Sequence, residues 1–220
     1  MVLMPKIENK ELRGGARIVP INRRKLSDEA LAQGLQKGDM GAIAELYERF
    51  GTLVNRLIWR ILGTDDEHED VVQNIFLRII DASTQLRKPE SLKDWVIGIS
   101  VRTALKELRS RKYRNRFTPR VDLDAVAPAA ASVTDDQKLL VNGFYRVLRQ
   151  LSPEMQIYIV LRYLEQQTNE EVAAACGVSE RTAKRRIAKA KDLFVAKAAR
   201  DRFLGSLLLD ESNEDDKKII

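Results

Sequence analysis

Thr168 to Phe194 reads TNEEVAAACGVSERTAKRRIAKAKDLF, and the order of residue types in this stretch decides the fold. Thr168 stands three residues before Glu171, the spacing at which a hydroxyl caps a helix start while a carboxylate reaches back to the cap's own N–H. The helix so opened runs to Cys176, and Gly177 supplies the positive φ that a three-residue turn demands. Ser179 then caps a second helix. Val172, Ala173, Val178, Ala183 and Ile187 form a small apolar seam between the two, while Arg181, Lys184, Arg185, Arg186, Lys189 and Lys191 crowd the second. This is helix-turn-helix geometry, in which the second helix enters the DNA major groove. Side chains near its start meet base edges and later cations neutralise phosphates. The predicted DNA contacts are Ser179, Glu180, Arg181, Thr182, Lys184, Arg185, Arg186 and Lys189. The competing reading is an ordinary helical hairpin with a solvated basic face.

Outward from this stretch, the chain continues in helical punctuation. Ser152-Pro153 places a cap and a first-turn proline before the stripe Ile157, Val160, Leu161 and Leu164. Thr134 with Gln137 forms a further capping-box pattern, followed by Val141, Phe144, Leu148 and Leu151 on one face. In the first half, apolar residues at three-four spacing run from Ile43 to Leu62, with Asp39 as N-cap and Gly63 as terminator. A second stripe holds Val71, Val72, Ile75, Phe76, Ile79 and Ile80, preceded by Thr64 and an acidic first turn that suits the helix dipole. A third carries Leu92, Trp95, Val96, Ile99 and Leu108 and is interrupted by Gly98. No stretch alternates with period two for long enough to argue a sheet. The predicted fold is all-α, with two small helical domains joined by a flexible linker and a helix-turn-helix in the second. The predicted boundaries are a basic arm over 1–26, a helical domain over 27–117, a linker over 118–134, a second domain over 135–200 and a tail over 201–220. Fully extended, the Ala- and Pro-rich linker reaches about 55 to 60 Å, comparable to the rise of roughly 17 base pairs.

Composition narrows the function. Thirty-eight Lys and Arg against 32 Asp and Glu give a formal charge of +6, which suits a polyanionic partner. The single cysteine, Cys176, excludes an internal disulfide framework and a cysteine-based zinc site, and its place between alanines beside a turn predicts a small buried residue rather than a nucleophile. The single histidine, His68, removes most catalytic triads. Around it lie Asp65, Asp66, Glu67, Glu69 and Asp70, but contiguous carboxylates cannot all converge on one ion, and a helix start is the better reading. No catalytic residue, cofactor or metal is predicted. The longest apolar stretches, such as Ile157 to Leu161, fall far short of a membrane span, so a cytoplasmic protein without membrane insertion is expected.

A second basic concentration spans Arg102 to Arg120, with eight Lys or Arg against one Glu, interleaved with Tyr113 and Phe117 and preceded by Trp95. Cations that track phosphates and aromatics that stack bases make a surface for single-stranded nucleic acid. Trp95 also reads as a core residue, since large aromatics are commonly packed.

With these segments in order, the arrangement from about Ser27 to Phe194 resembles an extracytoplasmic-function sigma factor, the two-domain minimum of the sigma-70 family. Glu69-Asp70-Val71-Val72-Gln73-Asn74-Ile75-Phe76-Leu77 is similar to the family's polymerase-clamp helix, Trp95 to Arg109 to its promoter-melting segment, and Leu151 to Leu193 to its fourth domain. The resemblance implies a promoter-specificity subunit that binds core RNA polymerase, through the beta-prime and beta subunits, and promoter DNA, and that has no active site. It implies that Asp70, Gln73, Asn74 and Arg78 face the beta-prime coiled coil and that the helix after Ser179 reads the upstream element. Trp95, Arg102, Lys106, Arg109, Arg111 and Lys112 then meet the downstream element and help hold it open. An anti-sigma partner is a further expectation. The chain departs from the family where Arg102 and Lys106 replace the frequent Asn and Asp, and where Leu151-Ser152 and Gln156 replace Leu-Pro and a later Arg. The alternative is a helix-turn-helix regulator that binds operators without polymerase. Leu207, Leu208 and Leu209 before an acidic stretch offer a segment that docks on the basic second domain or on a partner, with a disordered tail as the equal alternative.

Overall fold

The computed structural model describes residues 25–63, 67–86, 91–117 and 135–205, apart from the side chains of 115–117 and 135–136. The arm up to 24, the linker over 118–134, the tail from 206, and the predicted roles of Thr64, Asp65, Asp66 and Thr134 lie outside the described residues. Every α-helix, 3-10 and π segment among the described residues is part of an all-helical architecture, and none is long and apolar enough to cross a membrane.

Among the described residues the first half holds four α-helices, α1 (Asp28–Gln36), α2 (Met40–Leu62), α3 (His68–Asp81) and α4 (Leu92–Phe117), with a short 3-10 turn (Ser83–Gln85) between the last two. Helix α1 is not announced by a long apolar stripe. It forms because Ser27 accepts the Ala30 N–H at 3.2 Å, Asp28 and Glu29 occupy the positive end of the dipole, and Leu31, Ala32 and Leu35 are buried on one face. Asp39 accepts the Ala42 N–H at 2.8 Å and so starts α2 at Met40, a turn before the predicted stripe. Gly63, at φ +81°, ends it. The predicted apolar residues of α3 face inward at Val71, Ile75, Phe76 and Ile79.

Helix α4 departs from a one-faced stripe. Val96, Ile97, Gly98, Ile99, Ser100 and Val101 are all buried, so this stretch is covered on every side. Its one polar member, Ser100, returns its hydroxyl to the Val96 carbonyl at 2.8 Å. The cover comes from α2 and α3 on one flank and from helices of the second half on the other.

That half comprises α5 (Asp135–Leu148), α6 (Pro153–Ile159), a π-helical turn (Val160–Leu164), α7 (Asn169–Cys176) and α8 (Glu180–Ala198). Ser152 caps α6 with Pro153 in its first turn, as the sequence predicts. Both arms of the Thr168–Glu171 capping box are present, at 2.7 and 3.2 Å. Gly177 takes φ +65° and ψ 39°, the left-handed conformation that the tight turn needs. The two halves are docked: one hydrophobic core runs from Leu31 through α4 to Ala190. Beyond α8 the chain folds back on α5, and a small second core of Val147, Ala198 and Leu204 closes the fold.

Candidate nucleic-acid interface

The geometry of α8 follows from its buried side. Ala183, Ile187 and Ala190 are buried, and Phe194 packs beside them. At 100° per residue this turns Arg181, Lys184, Arg185 and Lys189 to solvent, and all four are exposed. Ser179 and Thr182 serve the helix start: the Ser179 hydroxyl accepts the Thr182 N–H at 3.3 Å and shares a hydrogen bond with the Thr182 hydroxyl at 2.9 Å. Glu180 is exposed at the first helical position. Arg186 stands apart from its predicted neighbours. It lies round the helix from Arg185, and its guanidinium donates to the Tyr158 hydroxyl at 3.0 Å, joining α8 to α6. Cys176 is half-buried against the core rather than fully buried as the sequence predicts, and its desolvation pushes the thiol up to about 11, so the group stays protonated at neutral pH.

The predicted melting residues occupy α4 unevenly. Arg102, Lys106 and Lys112 are exposed, and Trp95 is half-buried against the core. Arg109 is held across the domain junction, its guanidinium donating to Glu154 of α6 at 2.7 and 2.9 Å. Arg111 is largely covered, at 11% side-chain exposure, and pairs with Glu107 at 2.9 Å and Glu67 at 3.5 Å. The reason is spacing: Glu107 precedes Arg111 by one helical turn, so the ion pair forms along α4. Arg114 reaches the same two carboxylates.

On α3, Asp70, Gln73, Asn74 and Arg78 are all exposed and lie opposite the buried stripe. Arg78 donates to the Asn74 side-chain oxygen at 3.0 Å, which orders that face. Leu77, which the sequence reading passed over as a site residue, sits among them at 53% exposure. Its signal was present: in a three-four pattern it falls between Gln73, Asn74 and Asp81 rather than with Ile75 and Ile79. His68 hydrogen-bonds Asn55 at 2.6 Å, tying α3 to α2.

The residues at the junction were also invisible as a group in the sequence. Glu165, with only 7% of its side chain exposed, accepts from Arg56 at 3.0 Å and Arg60 at 2.7 Å, and Arg60 also donates to the Leu164 carbonyl. Next to them Trp59 meets Tyr145 edge-on, with ring centroids 5.8 Å apart. Desolvation pushes the Tyr145 phenol up to about 12, so it stays neutral.

Comparison with known proteins agrees with this layout. The family model for Sigma-70 region 2 matches residues 46–114, and that for Sigma-70, region 4 matches residues 142–193. The ECF RNA polymerase sigma-E factor of Escherichia coli strain K12 is 27% identical over 180 residues, covering 76% of this chain and 92% of that protein. The RNA polymerase sigma factor CarQ of Myxococcus xanthus is 26% identical over 149 residues, covering 68% and 84%. Among solved structures, the fold is similar to CnrH in complex with the cytosolic domain of CnrY, at TM-score 0.54 and 20% identity over 78% of this chain and 96% of that one. It is also similar to RpoE in complex with the anti-sigma factor NepR from Bartonella quintana, at TM-score 0.55 and 20% identity over 72% and 98%. The two family models together span more than half of the chain in the order that the sequence motifs imply, and the chain belongs to the sigma-70 family, in its extracytoplasmic-function group.

Proposed function

We propose that this sigma subunit binds core RNA polymerase through the outer face of α3, reads an upstream promoter element with α8, and uses the exposed cations of α4 to hold the downstream element open. The observation that carries the reading is the outward face of α8. Arg181, Lys184, Arg185 and Lys189 stand exposed around one side of a helix that a capped Gly turn fixes. Arg186 is a positioning residue in this scheme, holding α8 against Tyr158 rather than touching DNA.

Asp70, Gln73 and Asn74 supply hydrogen bonds to the polymerase, and Leu77 supplies an apolar contact at the centre of the same face. Replacing Leu77 with Asp puts a charge there without disturbing the buried stripe, so it should abolish core-enzyme pull-down while leaving the circular dichroism spectrum unchanged. Normal pull-down by that variant would remove α3 from the interface.

The docked arrangement is the resting one. Arg109 is spent on Glu154 across the junction, so it is not free to meet phosphate until the halves separate, whereas Arg111 is spent on Glu107 and Glu67 within the first half and stays paired on opening. Free protein therefore binds duplex promoter weakly, and the bound polymerase selects the open form. An anti-sigma protein that favours the docked form would hold the subunit in reserve; the fold likeness to an RpoE–NepR complex supports that partner class. The work is non-enzymatic and takes place where polymerase and chromosome meet, in the cytoplasm.

The test is transcription with purified core enzyme on a library of randomised promoters. Selected templates with two conserved elements are the expected result. No promoter-dependent transcript, together with tight binding of one duplex sequence by the lone protein, would instead identify an operator-binding regulator.

A further inference from the structure

A cleft of about 160 Å³ opens where the two halves meet, with α2 and the start of α4 on one side and the segment 165–167 with α7 on the other. Five waters at ~30 Å³ each would fill it, and an engineered cavity of roughly 150 Å³ takes benzene, so the space suits a ligand of about six to ten non-hydrogen atoms. The segment 165–167 is a built wall. The π-helical turn before it closes with the Glu165 N–H on the Val160 carbonyl at 2.9 Å, and the Gln167 N–H returns to the Leu161 carbonyl at 3.0 Å. The Arg162 guanidinium donates to the Gln167 carbonyl at 2.6 Å. Between these anchors Gln166 takes φ +55°, the left-handed region that residues with a Cβ seldom enter.

Hydrogen-bond accounting leaves one group over on this wall. The Gln167 side-chain oxygen is buried and has no partner among the described residues. An unmet buried acceptor is costly, so it calls for a donor from outside the chain. The charges around it are also partly unspent. Glu165 uses both oxygens on Arg56 and Arg60. Arg56 commits only Nη2 to that pair and keeps Nε and Nη1. Glu171 accepts the Thr168 N–H through Oε2 and keeps Oε1. Lys93 and Asp94, in the first turn of α4, make no hydrogen bond or ion pair among the described residues. Two cationic donors, two carboxylates and one neutral acceptor therefore line the same cleft with capacity to spare.

We infer that this cleft binds a small zwitterion of the α-amino-acid class, with its carboxylate toward Arg56 and Lys93 and its ammonium toward the Gln167 oxygen and a neighbouring carboxylate. A simple anion leaves the Gln167 oxygen unmet, and a simple cation leaves Lys93 unmet. An uncharged polyol forgoes the charge-assisted bonds, which are about twice as strong as neutral ones. The ligand touches α2 and α4 from one half and residues 165–175 from the other, so it binds the docked arrangement and stabilises it by mass action. Its regulatory consequence rests on the scheme proposed above, in which the docked form is the resting one: occupancy lowers the share of subunit open to polymerase. The site itself rests on the fold alone.

Isotope-labelled full-length protein, observed by NMR and titrated with L-asparagine, L-serine, propionate, propylamine and glycerol, tests the site. Either amino acid should move the Gln167 side-chain amide and the backbone signals of Lys93 and Asp94, saturating by ~10 mM, where a millimolar site is nearly full. The singly charged and uncharged probes should bind at least about tenfold more weakly. Lys93→Gln alters an exposed side chain, and Gln167→Leu removes the unmet acceptor; each should weaken asparagine binding about tenfold, while the ligand-free variants melt no earlier than wild type. No saturable shift with either amino acid would overturn the proposal, as would equal binding of any control probe or unaltered asparagine affinity in both variants. Asparagine should also weaken binding of the subunit to core enzyme. Saturable binding with undiminished core-enzyme affinity would overturn the resting-form scheme and leave the site standing.

Discussion

Replacing Glu165 with Gln should loosen the docking of the two halves. Glu165 is the only carboxylate that bridges Arg56 and Arg60 among the described residues, and it is almost fully covered. A hydrogen bond to a charged group contributes about 1.5–3 kcal/mol when both partners are shielded. Here the guanidiniums retain 49% and 30% exposure, which moves the value toward the roughly 0–1 kcal/mol of a surface pair. Gln preserves one acceptor and the side-chain volume. The net loss is therefore about 0.5–1.5 kcal/mol, or a roughly two- to twelvefold shift in the ratio of open to docked protein. Labels on α3 and α8 should report a longer mean separation. Trp59 emission should move to the red as its ring leaves Tyr145. Because only the open form engages polymerase in the proposed scheme, the apparent Kd for core enzyme should tighten by up to the same factor, until the open form dominates. High salt should mimic the variant in the wild type and add little to the variant itself. A Gln variant with normal label separation and normal polymerase affinity would refute the latch.

Three further outcomes follow. Arg185→Ala should weaken upstream-element use by ~1–3 kcal/mol if the side chain reads a base, leaving core-enzyme binding intact; footprints and pull-downs of the same preparation separate the two effects. Gly177→Ala should lose ~1 kcal/mol of thermal stability, because φ +65° penalises a Cβ even where nothing lies within 4 Å, and Gly177→Asn should lose less. Arg146, followed by the Leu204 and Phe203 N–H groups, holds the Asp201 carboxyl well below the usual carboxylate range. A depressed folded pKa stabilises above the unfolded value near 3.9 and ceases to do so as pH falls through the folded one. Wild type should therefore lose stability more steeply than Asp201→Asn below about pH 4, and parallel acid titrations of the two would discount the clamp.

The capped elements of this fold were readable in the sequence because their signals are local. Asp39, Ser152, Thr168 and Ser179 each act within three residues, and each caps the helix that its position predicts. Helix α1 went unread because nine residues with three buried positions make too short a stripe. The π turn at Val160–Leu164 was hidden for a related reason, since five residues do not distinguish one helical period from another. The site was legible where exposure follows from periodicity, as on α3 and the outer side of α8. It was not legible where partners are distant: Arg60 and Glu165 are 105 residues apart, and each alone resembles a solvated surface charge. The docking did leave one trace. Val96 to Val101 has no polar side apart from Ser100, and a helix apolar all round implies neighbours on both flanks.

Helix α4, sandwiched in this way, ties quiescence to solubility. Pulling the halves apart wets a strip of branched aliphatic side chains, and each large one so uncovered forfeits about 1.5–3 kcal/mol. In the proposed scheme an opened molecule without polymerase is consequently adhesive, prone to self-association and to proteolysis, whereas the docked one is not. Cells carrying more of this subunit than polymerase can accept should accumulate it shut or lose it quickly, so that output tracks the supply of core enzyme rather than the total pool.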